Sequence, residues 1–188
     1  MIRGIIFDCF GVLYRGSIAH LHELTPAHNR AELTNLSLSF DYGYVSHQDF
    51  LIQASVLAEK SPEEIQAIMD MDHVRNDILV DYIRELRPNY KIGLLSNVGR
   101  GVMDRLFSAT EEGELFDTVV LSSEVGIVKP DAAIFTLASD RMGLSPENCL
   151  MVDDLAPNIE SAISVGMQGV VFTTTNNFIR HMRSVMDA

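Results

Sequence analysis

The sequence contains four groups of polar residues of the kinds that bind metal ions and phosphate. In chain order they are Asp8, the pair Ser96 and Asn97, Lys129, and the pair Asp153 and Asp154. Carboxylates held close together repel one another unless a cation neutralises them, and Mg²⁺ prefers oxygen ligands. We therefore predict that Asp8 and Asp154 bind Mg²⁺. A serine hydroxyl, a neighbouring backbone N–H and a lysine ammonium are suited to hold a tetrahedral phosphate opposite the metal.

Such a site would favour one type of reaction. An aspartate placed between a cation and a phosphate can attack phosphorus in line and form an aspartyl-phosphate, which divides a difficult hydrolysis into two easier steps. Taken singly, each group also has a structural interpretation. Ser96 and Asn97 are typical of the end of a strand, Asp154 of a helix cap, and Lys129 of a solvated surface. The proposed phosphoryl transfer requires that all four groups lie close together in the folded protein.

The elements that must position these groups alternate between strand and helix. Short apolar runs predict five buried strands, at residues 5–7, 91–96, 118–122, 149–152 and 169–172. Helical spacing of apolar residues fills the intervals, and it continues after the last strand through Phe178, Ile179, Met182, Val185 and Met186. Strands separated by helices form a mainly parallel sheet with right-handed crossovers. We predict an α/β fold, a three-layer Rossmann-like sandwich whose strand ends bring the four groups to one edge.

Residues 16–81 differ from the rest because they contain no strand-like run. Ser46 can cap one helix, and Ser61-Pro62-Glu63-Glu64 supplies the cap, the first-turn proline and the acid of a capping box for another. Asp41-Tyr-Gly-Tyr44 indicates a turn between helices. We predict a small helical cap at residues 16–81, inserted into a core of residues 1–15 and 82–188. Arg15, His20, His22 and Tyr44 are candidates for contact between cap or hinge and the site, and the sequence does not rank them.

Composition limits the classes of partner. The 14 basic and 26 acidic residues give a formal net charge of −12, which argues against nucleic acid and anionic membranes as partners. With no signal-peptide pattern at the N-terminus, we expect a cytoplasmic protein.

Cys9 and Cys149 belong to no metal-binding pair and should lie at opposite ends of the sheet, so we predict two free thiols. A monomer or homodimer is expected.

Four motifs resemble those of the haloacid dehalogenase-like hydrolase superfamily in order and spacing. They are Asp8-Cys-Phe-Gly-Val-Leu13, Leu94-Leu-Ser-Asn97, Lys129-Pro130, and Val152-Asp-Asp154 with Asn158. The chain is similar to the subgroup with a helical cap, which includes the phosphatase domain of soluble epoxide hydrolases and small sugar-phosphate phosphatases. The resemblance covers essentially the whole chain, and it implies an Mg²⁺-dependent phosphatase acting on a small phosphorylated metabolite.

The resemblance also implies a role for each motif residue. Asp8 would be the nucleophile, Ser96 and Asn97 would hold the phosphoryl group, and Lys129 would stabilise it. Asp154 would bind Mg²⁺ together with Asp8 and the backbone carbonyl of Phe10. Asp153 lies where many relatives have glycine, and it is either a further metal ligand or an acid that acts through a neighbour.

Phe10 departs from the pattern of the family's phosphatases. These usually carry a second aspartate at this position, which protonates the leaving group and then activates water, and phenylalanine does neither. Slow turnover, a good leaving group or a substitute acid would each be compatible with Phe10. The family's dehalogenases have an aromatic residue here, so a 2-haloacid dehalogenase is one alternative. A catalytically weak phosphate-binding or regulatory protein is another.

Overall fold

The computed structural model describes residues 1–186, with the side chains of residues 1–184. Its centre is a five-stranded, all-parallel sheet with the order β3-β2-β1-β4-β5. The strands are β1 (Gly4–Phe7), β2 (Lys91–Ser96), β3 (Thr118–Leu121), β4 (Cys149–Asp153) and β5 (Gln168–Val171). The predicted α/β class is confirmed. Val185 and Met186 lie on the last helix, as predicted, but their side chains are outside the described part. Residues 187–188, predicted to belong to the core, lie outside the described residues.

Within residues 1–186, ten α-helices lie between these strands and an eleventh follows β5, and two single 3₁₀ turns lie at Ala27–Asn29 and Pro146–Asn148. In chain order the helices are α1 (Ile18–Leu24), α2 (Arg30–Asp41), α3 (His47–Ala58), α4 (Pro62–Asp72), α5 (Asp77–Leu86), α6 (Met103–Leu106), α7 (Ala109–Leu115), α8 (Ser122–Val125), α9 (Ala132–Arg141), α10 (Ala156–Ser164) and α11 (Thr175–Met186). Helices α1–α4 lie between β1 and α5, and we call them the helical insert. Within the described part of the chain, no helix has the length and apolarity needed to cross a bilayer.

The sheet has an apolar layer on each face because consecutive side chains of a strand point to opposite sides. Ile5 and Phe7 join the layer that contains α5 and α11, where the Phe7 and Phe178 rings meet edge to face with centroids 5.4 Å apart. Ile6 joins the opposite layer, formed with α9 and α10. The three-layer prediction is therefore confirmed.

Several element boundaries differ from the predictions. Ser122 begins α8 instead of ending β3, Asp153 is the last residue of β4, and β5 is shifted one residue towards the N-terminus. The four-residue α8 was not foreseen because its length carries no helical periodicity. Helix α5 begins at Asp77, so it crosses the predicted boundary between residues 81 and 82.

Two predicted helix starts in the insert are confirmed. Ser46 accepts a hydrogen bond from the Asp49 N–H at the start of α3. Ser61 and Glu64 form the predicted capping box at the start of α4. Each cap satisfies a backbone N–H that would otherwise have no partner. Helix α2 ends at Asp41, and the predicted turn follows it.

The chain enters and leaves the insert side by side. The Asn76 N–H donates to the Leu13 carbonyl at 2.8 Å, and the Arg15 N–H donates to the Val74 carbonyl at 2.9 Å. These bonds join the segment that follows β1 to the segment that precedes α5. The insert is thus attached to the sheet through one pair of adjacent backbone segments.

The C-terminal end of α2 is attached to loops of the core. Ser122 Oγ donates to the Asp41 carbonyl at 2.6 Å, and the Val98 N–H donates to the same Ser122 Oγ at 2.9 Å. At Gly99, a Cβ atom would come within 2.1 Å of the Phe40 ring. These contacts fix α2 against the loop that follows β2.

Candidate functional site

The carboxyl ends of β1 and β4 meet at a buried ion network. Lys129 Nζ lies 2.7 Å from Asp8 Oδ1 and 2.7 Å from Asp153 Oδ2. The exposed fractions of Asp8, Lys129 and Asp153 are 6%, 5% and 0%. A buried charge is costly unless it is paired and hydrogen-bonded, and each of these three groups has such a partner. The predicted meeting of Asp8 and Lys129 is therefore observed.

Asp8 offers one oxygen to protein groups. Its Oδ1 accepts from Lys129 Nζ and from the Cys9 N–H, the latter at 2.7 Å. No described residue hydrogen-bonds to Oδ2, and Asp8 lines the cavity discussed below. The two oxygens of one carboxylate thus have different surroundings. Cys9 itself is a buried free thiol, as is Cys149.

Asp153 is surrounded by hydrogen-bond donors. Oδ1 accepts from the Leu155 N–H at 2.9 Å, Asn158 Nδ2 approaches both oxygens at 2.9 and 3.0 Å, and Lys129 completes the set. Asp153 does not line the cavity. Of the two roles that the sequence left open, this geometry favours the acid that orients Lys129 over the additional metal ligand.

Asn97 and Ser96 occupy different positions at the end of β2. The Asn97 amide forms two hydrogen bonds with the main chain of Lys129, accepting from its N–H at 2.8 Å and donating to its carbonyl at 2.9 Å. Asn97 also lines the cavity. Ser96 does not line it, and its buried hydroxyl has no hydrogen-bond partner among the described residues. An unpartnered buried hydroxyl is costly to the folded state.

Asp154 approaches Asp8 because residue 11 has no side chain. Gly11 has φ +88°, and a Cβ atom there would lie 2.3 Å from the Asp154 carboxyl carbon. One oxygen from each of Asp8, Asp153 and Asp154 lies within 4.8 Å of the others. The donors are carboxylate oxygens, the ligand type that a hard divalent cation such as Mg²⁺ prefers.

The carboxyl pKa values in the cluster are raised, which means that the ionised forms are disfavoured when no metal ion is bound. Burial raises the pKa of Asp8 to about 7, Lys129 opposes the rise and Asp153 adds to it. Burial and the charge of Asp153 also raise the pKa of Asp154. For Lys129, burial disfavours the ammonium, but Asp8 and Asp153 outweigh burial and raise its pKa. Three carboxylates thus share one ammonium, and the excess negative charge would be offset by a bound cation.

A cavity of about 470 Å³ opens above this cluster, between the sheet edge and the helical insert. Asp8, Lys129 and Asp154 lie on its core side. Phe10 also lines it, with its ring centroid 5.2 Å from that of His73. His73 Nε2 lies 3.3 Å from Ser17 Oγ, and burial lowers the pKa of this histidine.

The cap or hinge candidates from the sequence are not among the residues that line the cavity. Arg15, His20, His22 and Tyr44 do not line it. Ser37, Asp41 and His73 do. The spacing of Ser37 and Asp41, four residues apart in a helical segment, was visible in the sequence, but which helix face meets the core was not.

Relatives of the chain carry different activity names. It is 24% identical over 186 residues to the (S)-2-haloacid dehalogenase of Pseudomonas fluorescens, a match that covers 88% of this chain and 82% of that protein. It is 28% identical over 118 residues to the N-acylneuraminate-9-phosphatase of Mus musculus, covering 60% and 48%. With drimenol cyclase drtB of Aspergillus calidoustus it shares 30% identity over 91 residues, 48% of this chain but 17% of that protein.

A solved structure and a family model agree with the fold. The HAD family enzyme bt-2542 of Bacteroides thetaiotaomicron, in complex with magnesium and inorganic phosphate, superposes with a TM-score of 0.77 at 20% identity, covering 93% of this chain and 96% of that one. The family model for haloacid dehalogenase-like hydrolase matches residues 2–166. The chain therefore belongs to the haloacid dehalogenase-like hydrolases.

Proposed function

We propose that the protein is a Mg²⁺-dependent phosphatase of small phosphomonoesters, with Asp8 as nucleophile. The observation that carries this proposal is the cluster of three carboxylates, Asp8, Asp153 and Asp154, that shares the ammonium of Lys129 at the edge of one cavity. A 2-haloacid such as 2-chloropropionate is itself an anion at neutral pH and would offset none of the charge of these acids. A divalent cation would compensate them, and a bound phosphate would then be held opposite it.

Each residue of the site has a proposed part. Asp8 and Asp154, with the Phe10 carbonyl, would hold Mg²⁺, which when bound would offset charge on the carboxylates and the phosphoryl oxygens. Asp8 Oδ2 would attack phosphorus while Oδ1 stays with Lys129 and the Cys9 N–H. Asp153 would orient Lys129. Asn97 would fix the Lys129 main chain, and the Ser96 hydroxyl would turn to a phosphoryl oxygen.

The site has two halves under this proposal. Residues of the sheet edge would perform phosphoryl transfer, and residues of the insert would contact the remainder of the substrate. The cavity of about 470 Å³ suits a small metabolite. We propose that residues 16–76 act as the cap, because α5, from Asp77 onward, belongs to the core layer.

A 2-haloacid dehalogenase is the second candidate. It is favoured by Phe10, since a halide leaves without a proton, and by the Pseudomonas fluorescens relative, which matches over 88% of this chain. The buried acids count against it, because dehalogenation needs no metal. Asp153 and Asp154 would then remain beside Asp8 without a cation to offset their charge.

One experiment separates the two. Release of phosphate from p-nitrophenyl phosphate and of chloride from 2-chloropropionate is measured with Mg²⁺ and with chelator. We expect phosphate release that chelation abolishes and that Asp8→Asn eliminates. Chloride release that is insensitive to chelation, with no phosphate release, would overturn the phosphatase proposal.

A further inference from the structure

The proposed phosphatase lacks a proton donor at its usual place. An alkoxide leaving group must be protonated as the P–O bond breaks, and water must later be deprotonated to hydrolyse the phosphorylated Asp8. Phe10 offers no proton, and its ring packs against His73. A carboxyl group elsewhere on the cavity wall could supply both steps.

Asp41 is such a group, contributed by the helical insert. It is the last residue of α2 and lines the same cavity as Asp8 and Lys129. No described residue forms a hydrogen bond or an ion pair with its carboxyl group. Ser37, one helical turn earlier, lines the cavity too, and its buried hydroxyl also has no partner among the described residues. This face of α2 thus presents an acid and a hydroxyl, both available to a ligand.

The position of Asp41 is fixed relative to the phosphate-binding side. Its carbonyl accepts from Ser122 Oγ, which in turn accepts from the N–H of Val98, two residues after Ser96. Just beyond it, a Cβ atom on Gly43 would lie 2.4 Å from the Ser123 carbonyl oxygen. A catalytic acid needs such a rigid mount, because proton transfer requires hydrogen-bonding distance.

The electrostatic surroundings of Asp41 agree with a donor. Burial raises its pKa to about 7, against a smaller opposing effect of Lys129. Its place at the C-terminal end of α2 also disfavours the ionised form. Near neutral pH such a carboxyl group can both give and accept a proton.

We propose that Asp41 is the general acid and base of the reaction, in place of an acid at position 10; this inference rests on the proposed phosphatase function. As Asp8 Oδ2 forms its bond to phosphorus and the ester P–O bond breaks, the leaving oxygen takes the proton of Asp41. In the second step the Asp41 carboxylate takes a proton from water. The hydroxide oxygen bonds to phosphorus, the bond from phosphorus to Asp8 Oδ2 breaks, and phosphate leaves. Ser37 hydrogen-bonds the organic part of the substrate.

Leaving-group dependence tests this role. Phosphorylation of Asp8 is followed by rapid quench with phenyl phosphate, whose leaving group needs a proton, and with 2,4-dinitrophenyl phosphate, whose leaving group does not. We expect Asp41→Asn to slow the reaction of phenyl phosphate by about 10²–10⁴-fold and to leave that of dinitrophenyl phosphate nearly unchanged. Glu32→Gln, an exposed acid at the other end of α2, is the matched control and should change neither.

Two further variants complete the test. Phe10→Asp in the Asp41→Asn background should restore part of the lost rate with phenyl phosphate. An equal loss with both substrates, no loss, or a leaving-group effect in His73→Gln instead of Asp41→Asn would overturn the role of Asp41 while Asp8→Asn remained inactive. If Asp8→Asn still hydrolyses both esters, the proposed function fails, and this inference fails with it.

Discussion

At the scale of single residues, the geometry of the acidic cluster depends on one residue that lacks a side chain. Asp154 can stand beside Asp8 because Gly11 leaves room for its carboxyl group. Lys129 lies between Asp8 and Asp153, with its Nζ 2.7 Å from an oxygen of each. Adding a methyl group at residue 11 should therefore displace Asp154 within the acidic cluster, although no ionisable residue is replaced.

We predict that Gly11→Ala weakens cation binding and activity. Its Cβ would lie 2.3 Å from the Asp154 carboxyl carbon, and φ is +88°, where alanine is strained by about 1 kcal/mol or more. The measurement is the Mg²⁺ concentration that gives half-maximal phosphatase activity, which should rise. Gly113→Ala is the control, because that Cβ would meet nothing within 4 Å. An unchanged Mg²⁺ requirement in Gly11→Ala would contradict the prediction.

At the scale of elements, the turn between α2 and α3 decides how the insert faces the sheet. Gly43 in this turn lies against the backbone at Ser123, and Phe40 at the end of α2 packs on Gly99. No sequence pattern predicts either contact, because both contacts join segments that are far apart in the chain. This is why the strand end that carries Asp8 could be predicted, whereas the part that α2 plays in the cavity could not.

We predict that Gly43→Ala lowers both stability and activity more than Gly101→Ala does. The two glycines have nearly the same φ, +76° and +77°, so alanine is similarly strained at both. Only at Gly43 would the new Cβ meet backbone, 2.4 Å from the Ser123 carbonyl oxygen. Urea denaturation gives the stabilities, and kcat/KM for an aryl phosphate gives the activity. Equal losses in the two variants would show that the contact has no effect.

At the scale of the whole molecule, stability without a cation should depend on pH through the buried acids. The pKa of Asp8 is raised from 3.8 to about 7, so the folded protein holds this proton more tightly than the unfolded chain does. The resulting stabilisation is complete below pH 3.8 and is lost as pH rises through about 7. One such group changes the free energy of unfolding by at most about 1.4 kcal/mol per pH unit.

We expect the free energy of unfolding of the protein in chelator to fall between pH 4 and pH 7 in urea titrations, with a smaller fall in Asp8→Asn. Added Mg²⁺ should raise it near pH 7, since a ligand that binds only the folded state stabilises it. The same slope in both proteins would show that Asp8 is not the source. The opposite sign, with stability rising over this range, would mean that depressed carboxyl pKa values dominate.

The sequence predicted the sheet well because its strands are short, apolar and each followed by a helix. It also placed Asp8, Asn97, Lys129 and Asp154 at one edge, since parallel strands end together. It named Asp154 as a metal ligand but left two roles open for Asp153, because neighbouring residues at a strand end differ only in direction. Nor could it show that Asp41 lines the same cavity as Asp8, which depends on how the insert docks.

The adjacent entry and exit of the insert have a consequence for variation within the family. Hydrogen bonds between residues 13–15 and 74–76 hold the two ends of the insert together. The length of the insert can therefore change without altering the pairing of the strands. Enlarging or shortening this segment away from α2 would then alter which molecules are admitted, while the strand-end residues and Asp41 keep their positions. A library of grafted loops between these two points, with α2 retained, would be a direct route to new specificities on the same site.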